Sequence, residues 1–126
     1  MSLRDRFLEY ETCLKRLEEA LKAPKSDISR DSAIKRFELC FELCWKVLKD
    51  FLNEEGIFCR SPRSCLKEAF SMGLLKDEKE WLLILEDRNL SVHTYEEALA
   101  EEIYSRLESH LEAMRELKDR IGEYIK

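Results

Sequence analysis

The stretch DRNLSVHTYEE, residues 87–97, contains the side chains of this sequence best suited to chemistry on phosphate. Arg88 offers a planar group of N–H donors that matches phosphate oxygens. His93 follows five positions later, is one of only two histidines, and can take or give a proton near neutral pH. Together they would suffice for phosphodiester chemistry on RNA, in which the ribose 2′-hydroxyl loses a proton and attacks the adjacent phosphorus. Such chemistry would require no metal.

The same residues also admit a purely structural interpretation. Arg88 would then be a cation near a helix C-terminus, where it interacts favourably with the helix dipole. His93 would merely precede an N-cap, and Tyr95 would be a partly buried ring at the first position of the next helix. The second histidine, His110, falls within an apolar stripe and is interpreted as a hydrogen-bonded core or interface residue. Spacing alone does not decide between chemistry and structure at Arg88 and His93.

The elements that position these residues are predicted to be helices. Hydrophobic residues make up 44% of the 126-residue chain and charged residues 39%, with only three glycines and two prolines. This composition is typical of a helix-rich folded protein. The length fits a single domain spanning residues 1–126. The fold class expected is all-α.

Apolar spacing and capping signals predict five helices. Their expected extents are residues 3 to about 23, 31–55, 62 to about 72, 78–88 and 95–124. Pro24 is expected to end the first helix, and Pro62 to lie at the first position of the third. Gly56 and Gly73 are expected to end the second and third helices. Joined by short loops, the helices would form an up-and-down antiparallel bundle of four to five members.

Two capping boxes are expected, in which an N-cap side chain and the residue three positions later bond each other's backbone. One pairs Asp77 with Glu80, and the other pairs Thr94 with Glu97. The stretch of residues 87–97 therefore lies where the fourth helix ends and the fifth begins. Free N–H groups at the start of the fifth helix would favour a phosphate.

The second helix has more apolar surface than one stripe requires. Six residues fall outside its main row: Leu39, Cys40, Leu43, Trp45, Val47 and Leu52. A helix that is apolar nearly all round needs neighbours on several sides. The pattern indicates either a central place in the bundle or contact with a second copy of the chain, as in a homodimer.

Charge and hydropathy limit the possible partners. The net charge is −5 and the pI is near 5.2, which disfavours a general nucleic-acid binder, so any RNA contact must be local. No apolar run approaches the roughly 18 residues that a membrane helix needs. The N-terminus lacks the apolar region of a secretory signal. We expect no membrane association and a cytoplasmic location.

The five cysteines are an odd number, and in a reducing compartment all are expected to be thiols. Cys40 and Cys44 share a helix face but lack the accompanying ligands of a metal site, so they are predicted to be buried small hydrophobes. No Gly-rich loop for nucleotide phosphates is present. The sequence therefore predicts neither a metal site nor a cofactor.

The pattern R-N-x-x-x-H-T-Y is carried by Arg88, Asn89, His93, Thr94 and Tyr95. On an all-helical chain of this length it resembles the R-x4-H-x-Y motif of the HepT group of the HEPN superfamily, also called nucleotidyltransferase substrate-binding proteins. The segments RFELCFELCWKVLKDFL and SPRSCLKEAF are similar to that family as well. The resemblance therefore covers about residues 30–120.

This resemblance implies a fold, an activity and a partner. HEPN proteins are helical bundles that dimerise with two Arg/His motifs facing each other across a cleft, and many are metal-independent endoribonucleases. Arg88 would then stabilise the scissile phosphate, His93 would transfer protons, and Asn89 would be the polar residue that commonly follows the arginine. HepT-like toxins are neutralised by a minimal nucleotidyltransferase that transfers AMP to the motif tyrosine, which corresponds to Tyr95.

Three functional hypotheses follow. In the first, the chain is a toxin-type endoribonuclease neutralised by AMP on Tyr95. In the second, it is a non-catalytic subunit that binds a nucleotide or acceptor and presents it to a nucleotidyltransferase, so that Arg88 and His93 hold phosphate without turnover. In the third, it is only a structural dimeric bundle. Both of the first two require a nucleotidyltransferase partner, and the third does not.

Overall fold

A computed structural model describes residues 1–125, which form five α-helices and one short 3-10 turn. The elements are α1 (Leu3–Lys22), α2 (Asp27–Glu54), α3 (Pro62–Ser71), α4 (Glu78–Leu90), the 3-10 turn Ser91–His93, and α5 (Glu97–Gly122). Each helix packs against the next in the chain. The all-α class and the up-and-down bundle are confirmed, and residues 1–125 contain no strand.

Serine residues are the N-caps of the first three helices. Ser2, Ser26 and Ser61 each accept a hydrogen bond from the backbone N–H three residues later, and in each case that residue bonds back to the cap. Such reciprocal bonds satisfy donors that a helix start would otherwise leave free. The second helix was predicted to begin near Asp31. It begins four residues earlier, at Asp27, because the Ser26–Ser29 box caps it there.

Glycines end α2 and α3 as predicted. Gly56 and Gly73 have φ values of +82° and +76°, a region that side chains with a Cβ rarely adopt. After α3, Gly73 N–H donates to the Phe70 carbonyl and Leu74 N–H donates to the Ala69 carbonyl, both at 3.0 Å. This is the Schellman arrangement, and the bonds after α2 follow the same pattern. These turns reverse the chain before the next helix begins.

Helix α2 occupies the centre of the bundle and packs against each of the other four helices. Cys40, Val47 and Leu52, which lie outside its main apolar row, are fully buried. The prediction that Cys40 and Cys44 are buried is confirmed. A central place therefore accounts for most of the apolar excess, but Leu39 remains 49% exposed.

The prediction that all five cysteines are thiols is wrong. Cys59 and Cys65 form a disulfide across the connection between α2 and α3, with their Cα atoms 5.1 Å apart. Both lie with Leu52 in a small hydrophobic cluster separate from the main core, and Trp45 packs against both clusters. Counting cysteines and inferring a compartment could not anticipate this pair, because pairing depends on how the loop returns to α3.

The main core draws buried side chains from all five helices. Its largest fully enclosed members include Trp81, Tyr10, Phe37 and Phe41. The Tyr10 hydroxyl donates to the Met114 carbonyl at 2.6 Å, which ties α1 to α5 inside the core. Over residues 1–125, no helix has both the length and the apolar character needed to cross a bilayer.

Candidate functional site

The last turns of α4 direct consecutive residues into opposite environments. An α-helix rotates by about 100° per residue, so Asp87 points inward and is almost completely buried, whereas Arg88 is partly exposed and Asn89 is exposed. The candidate site is therefore supported from beneath by a residue adjacent in sequence to its arginine.

Asp87 is the centre of a buried ionic network between α4 and α5. Arg106 donates to both of its carboxylate oxygens, at 2.8 and 2.7 Å, and His110 Nε2 lies 2.7 Å from Oδ2. His110 Nδ1 bonds to Glu80, so the imidazole ring bridges the Glu80 and Asp87 carboxylates. Burial alone would raise the pKa of Asp87, but the hydrogen bonds with Arg106 and His110 outweigh burial. The pKa of Asp87 is therefore lower than that of a free aspartate. The interpretation of His110 as a hydrogen-bonded core residue agrees with this geometry.

This network also changes one predicted cap. Asp77 caps α4 by accepting from the Glu80 N–H at 3.2 Å, as expected. The Glu80 side chain does not close the box, because its carboxylate binds His110 and the Ser109 hydroxyl instead. Glu80 therefore joins α4 to α5, and the capping box at Asp77 is only half formed.

Three groups hold the Arg88 guanidinium. Nη2 donates to Glu42 Oε2 at 3.2 Å, and Nη1 donates to Asn89 Oδ1 at 3.4 Å. The guanidinium carbon lies 5.7 Å from the centroid of the Phe41 ring, within cation–π range. These contacts orient the guanidinium at one side of an open groove of about 340 Å³. The groove is lined by Lys35, Glu38, Leu39, Glu42, Arg88, Asn89 and Val92.

His93 and Tyr95 lie on the turn that follows α4. The Ser91 hydroxyl donates to the Arg88 carbonyl at 2.7 Å, and the Thr94 hydroxyl donates to the Ser91 carbonyl at 3.1 Å. His93 Nδ1 is 3.3 Å from the Tyr95 hydroxyl, and the rings meet edge to face. His93 is exposed and Tyr95 is 73% exposed. Local bonds thus fix the backbone while leaving both rings open to solvent.

The Thr94–Glu97 capping box is not formed. Helix α5 begins at Glu97, and its N-cap Glu96 makes no side-chain cap bond. Thr94 does not cap the helix, because its backbone (φ −74°, ψ 6°) lacks the extended conformation of an N-cap. Tyr95 therefore precedes the helix and is not partly buried as the structural interpretation expected. The predicted phosphate site at the start of α5 is also disfavoured, because Glu96 and Glu97 place acidic side chains there.

Arg30 binds the acidic side chains in the first turns of α5. It is buried at the beginning of α2 and donates to Glu97 at 2.7 Å and to Glu101 at 3.0 Å. The hydrogen bond between Arg30 and Glu97 lowers the pKa of Glu97 and raises the pKa of Arg30. These bonds fix the start of α5 against α2, close in sequence to Tyr95.

The arrangement separates the motif into two adjoining parts. Arg88 and Asn89 line the groove, whereas His93 contacts Tyr95, and no hydrogen bond within residues 1–125 joins Arg88 to His93. Val92 lies between Arg88 and His93 in the sequence, is 71% exposed and also lines the groove. A phosphate in the groove could reach Arg88, and the imidazole of His93 lies on the next turn.

Sequence reasoning missed Glu42 and Lys35 as residues of this groove. Both lie on one face of α2, since seven positions complete about two helical turns. Nothing in the sequence indicates that this face meets the end of α4. Only the packing of α2 against α4 brings Glu42 to Arg88.

Fold and site together define a class: an all-helical bundle with an arginine, a histidine and an exposed tyrosine at one helix junction. The chain matches the family model described as nucleotidyltransferase substrate binding protein like over residues 5–123, and it belongs to that family. Together with the similarity to a HepT protein, this match confirms the resemblance to the HepT-like family.

Three known proteins resemble the chain to different degrees. The chain is 31% identical over 84 residues to a probable ribonuclease HepT of Haemophilus influenzae, a match that spans 63% of this chain and 58% of that protein. A protein of known crystal structure from Thermus thermophilus shares 39% identity with a TM-score of 0.84, over 88% of this chain and 97% of that one.

The third is HI0074 of Haemophilus influenzae, described as having the fold of a substrate binding domain of a nucleotidyltransferase. It aligns with a TM-score of 0.70 over 95% of this chain and 96% of its own. The sequence identity is 24%, so this likeness supports the fold alone.

Proposed function

We propose that the chain is a HepT-like toxin subunit: a metal-independent endoribonuclease that a minimal nucleotidyltransferase neutralises by transferring AMP to Tyr95. The observation that carries the proposal is the junction after α4. There Arg88, His93 and Tyr95 reach solvent from a backbone fixed by local hydrogen bonds. Side chains that act on a polymer must be both accessible and held in position.

Each residue has a defined role in the proposed cleavage. Arg88, oriented by Asn89 and the Phe41 ring, stabilises negative charge on the phosphoryl oxygens. His93 serves in proton transfer. The ribose 2′-oxygen loses its proton and bonds to phosphorus, while the bond from phosphorus to the 5′-oxygen breaks and that oxygen gains a proton. The products are a 2′,3′-cyclic phosphate and a 5′-hydroxyl.

A homodimer is part of this proposal. Leu39 lines both the Arg88 groove and a neighbouring groove formed with Leu8, Cys13 and Leu43. Leu8 is 48% exposed, and its side chain forms an apolar surface beside Arg88 together with Leu39 and Val92. Exposed apolar patches of this kind favour association. A second copy placed here would bring two Arg88/His93 sets to one cleft.

Replacing Leu39 with glutamate is expected to convert the dimer to a monomer, because a charge placed in an apolar interface loses its hydration. Sedimentation or light scattering at matched concentrations measures the mass. Phe58→Glu is the control, since Phe58 is an exposed apolar residue beyond the C-terminal end of α2. A monomeric parent chain, or a Leu39→Glu chain that remains dimeric, would contradict this placement.

Modification of Tyr95 provides the direct test of the toxin mechanism. The Tyr95 oxygen would bond to the α-phosphorus of ATP, pyrophosphate would leave, and the phenol proton would be released to His93 Nδ1 or solvent. When the chain is coexpressed with its nucleotidyltransferase, intact-mass measurement is expected to detect added AMP on the parent and on Tyr124→Phe, a control at another exposed tyrosine. Tyr95→Phe is expected to accept none.

RNA cleavage before and after that modification completes the test. The unmodified chain is expected to cut RNA in the presence of EDTA, and the modified chain is expected not to cut it. Adenylate on Tyr95, which contacts His93, would block RNA through its bulk and negative charge. AMP on a residue other than Tyr95, or undiminished cleavage by the fully modified chain, would refute the proposed neutralisation.

The alternative function is a non-catalytic subunit that binds a nucleotide for a nucleotidyltransferase. The separation of Arg88 from His93 favours it, since a phosphate on Arg88 could be held without proton transfer. The family description also refers to substrate binding. Binding of ATP or AMP, with no RNA cleavage at any chain concentration, would select this alternative.

A further inference from the structure

Glu42 is the acidic partner of the guanidinium at the candidate site. Its Oε2 accepts from Arg88 Nη2 at 3.2 Å, and its Oε1 lies 3.6 Å from the Lys46 ammonium group. The Glu42 and Arg88 side chains are both partly exposed. The carboxylate thus bridges a cation inside the groove and a second cation that does not line it.

The charges of the groove balance. Its lining contains two cations, Lys35 and Arg88, and two anions, Glu38 and Glu42. On a chain with a net charge of −5, such a groove offers little attraction to RNA. A phosphate and the Glu42 carboxylate would compete for the same Nη2 donor and would repel each other.

We propose that Glu42 is a counter-ion that an incoming phosphate must displace from Arg88, and that it thereby limits the affinity of the groove for RNA. The inference rests on the proposed role of Arg88 in phosphate binding. Lys46 makes the exchange feasible, because it already contacts the other oxygen of the carboxylate and can retain it after Arg88 turns to the phosphate. Glu42 therefore weakens phosphate binding at Arg88, and nucleic acid must supply enough contacts to outcompete it.

Two variants isolate this effect. Glu42→Gln removes the charge but keeps a carbonyl oxygen that can accept from Arg88, so the guanidinium remains oriented. Glu38→Gln makes the same change in charge within the same groove, and Glu38 makes no ion pair or hydrogen bond with Arg88 in the described chain. The difference between the two variants reports the direct contact and not the total charge.

The experiment measures binding of a fluorescent 2′-O-methyl RNA oligonucleotide, which cannot be cut because its 2′-oxygen is blocked. Glu42→Gln is expected to bind about two- to fivefold more tightly than the parent, the range for loss of one exposed ion pair. Glu38→Gln is expected to gain less. In an Arg88→Ala background the advantage of Glu42→Gln over Glu38→Gln is expected to vanish.

Three results would overturn the inference: equal gains from the two glutamine variants, weaker binding by Glu42→Gln, or an advantage of Glu42→Gln that persists without Arg88. Because the oligonucleotide is not cleaved, this outcome does not depend on catalysis. A chain that never cuts RNA can still pass the binding test, and an active ribonuclease can fail it. With a cleavable RNA, KM is expected to fall in Glu42→Gln while kcat does not rise.

Discussion

Replacing His93 with alanine is expected to slow RNA cleavage by about a hundred- to ten-thousand-fold, the usual contribution of a positioned acid or base. The fold should be unaffected, because the His93 side chain is exposed and contacts Tyr95 at the surface. Single-turnover cleavage in EDTA measures the rate, and thermal unfolding checks the fold. The size of the effect distinguishes proton transfer from a merely structural histidine.

Tyr95→Phe is the matched control for this experiment. It removes the hydroxyl that lies 3.3 Å from His93 Nδ1 while keeping the ring that packs edge to face against the imidazole. Cleavage by this variant is expected to stay within a few-fold of the parent. If His93→Ala cuts RNA as fast as the parent, the ribonuclease proposal fails and the nucleotide-binding alternative gains support.

Asp87→Ala is expected to have the largest effect on stability, about 3–5 kcal/mol of the free energy of unfolding, as for other broken buried ion pairs. The substitution leaves Arg106 and His110 without the carboxylate between them and removes a link from α4 to α5. Urea unfolding measures the change. Asp119→Ala, at an exposed aspartate paired with its neighbour Lys118, is expected to change stability by no more than about 0.5 kcal/mol.

Acid should remove the same contribution from the parent chain. The pKa of Asp87 is lowered in the folded chain, so its stabilisation is present above the unfolded pKa of about 3.9 and is lost as the pH falls through the folded value. Unfolding curves below about pH 4 should therefore show a steeper loss of stability in the parent than in Asp87→Ala. A constant difference across this range would mean that Asp87 contributes through packing and not through its charge.

The sequence predicted the number of helices and most of their ends because those features depend on neighbours along the chain. Pro24, Gly56 and Gly73 act through local backbone geometry, and the Ser61–Pro62 start of α3 is confirmed. The predicted start of α5, at residue 95, is wrong for a different local reason. The 3-10 turn Ser91–His93 leaves the Thr94 backbone in a turn conformation, so the helix begins only at Glu97.

The candidate site was predictable only as a position at a helix junction. The junction and the exposure of His93 follow from sequence and local structure. The contacts of Glu42 with Arg88 and of Asp87 with His110 join residues 46 and 23 positions apart. The disulfide between Cys59 and Cys65 likewise depends on how a loop folds back. Such pairings arise from the packing of helices, which residue spacing along one chain does not specify.

The position of Trp45 between the two hydrophobic clusters gives the molecule an internal optical probe. Disulfides quench indole fluorescence at short range, so emission from Trp45 should respond to opening of the Cys59–Cys65 bond. Trp81, the other indole, is enclosed in the main core on the helix that ends at the candidate site. Chains that retain one tryptophan each would let spectroscopy follow reduction of the loop separately from melting of the bundle.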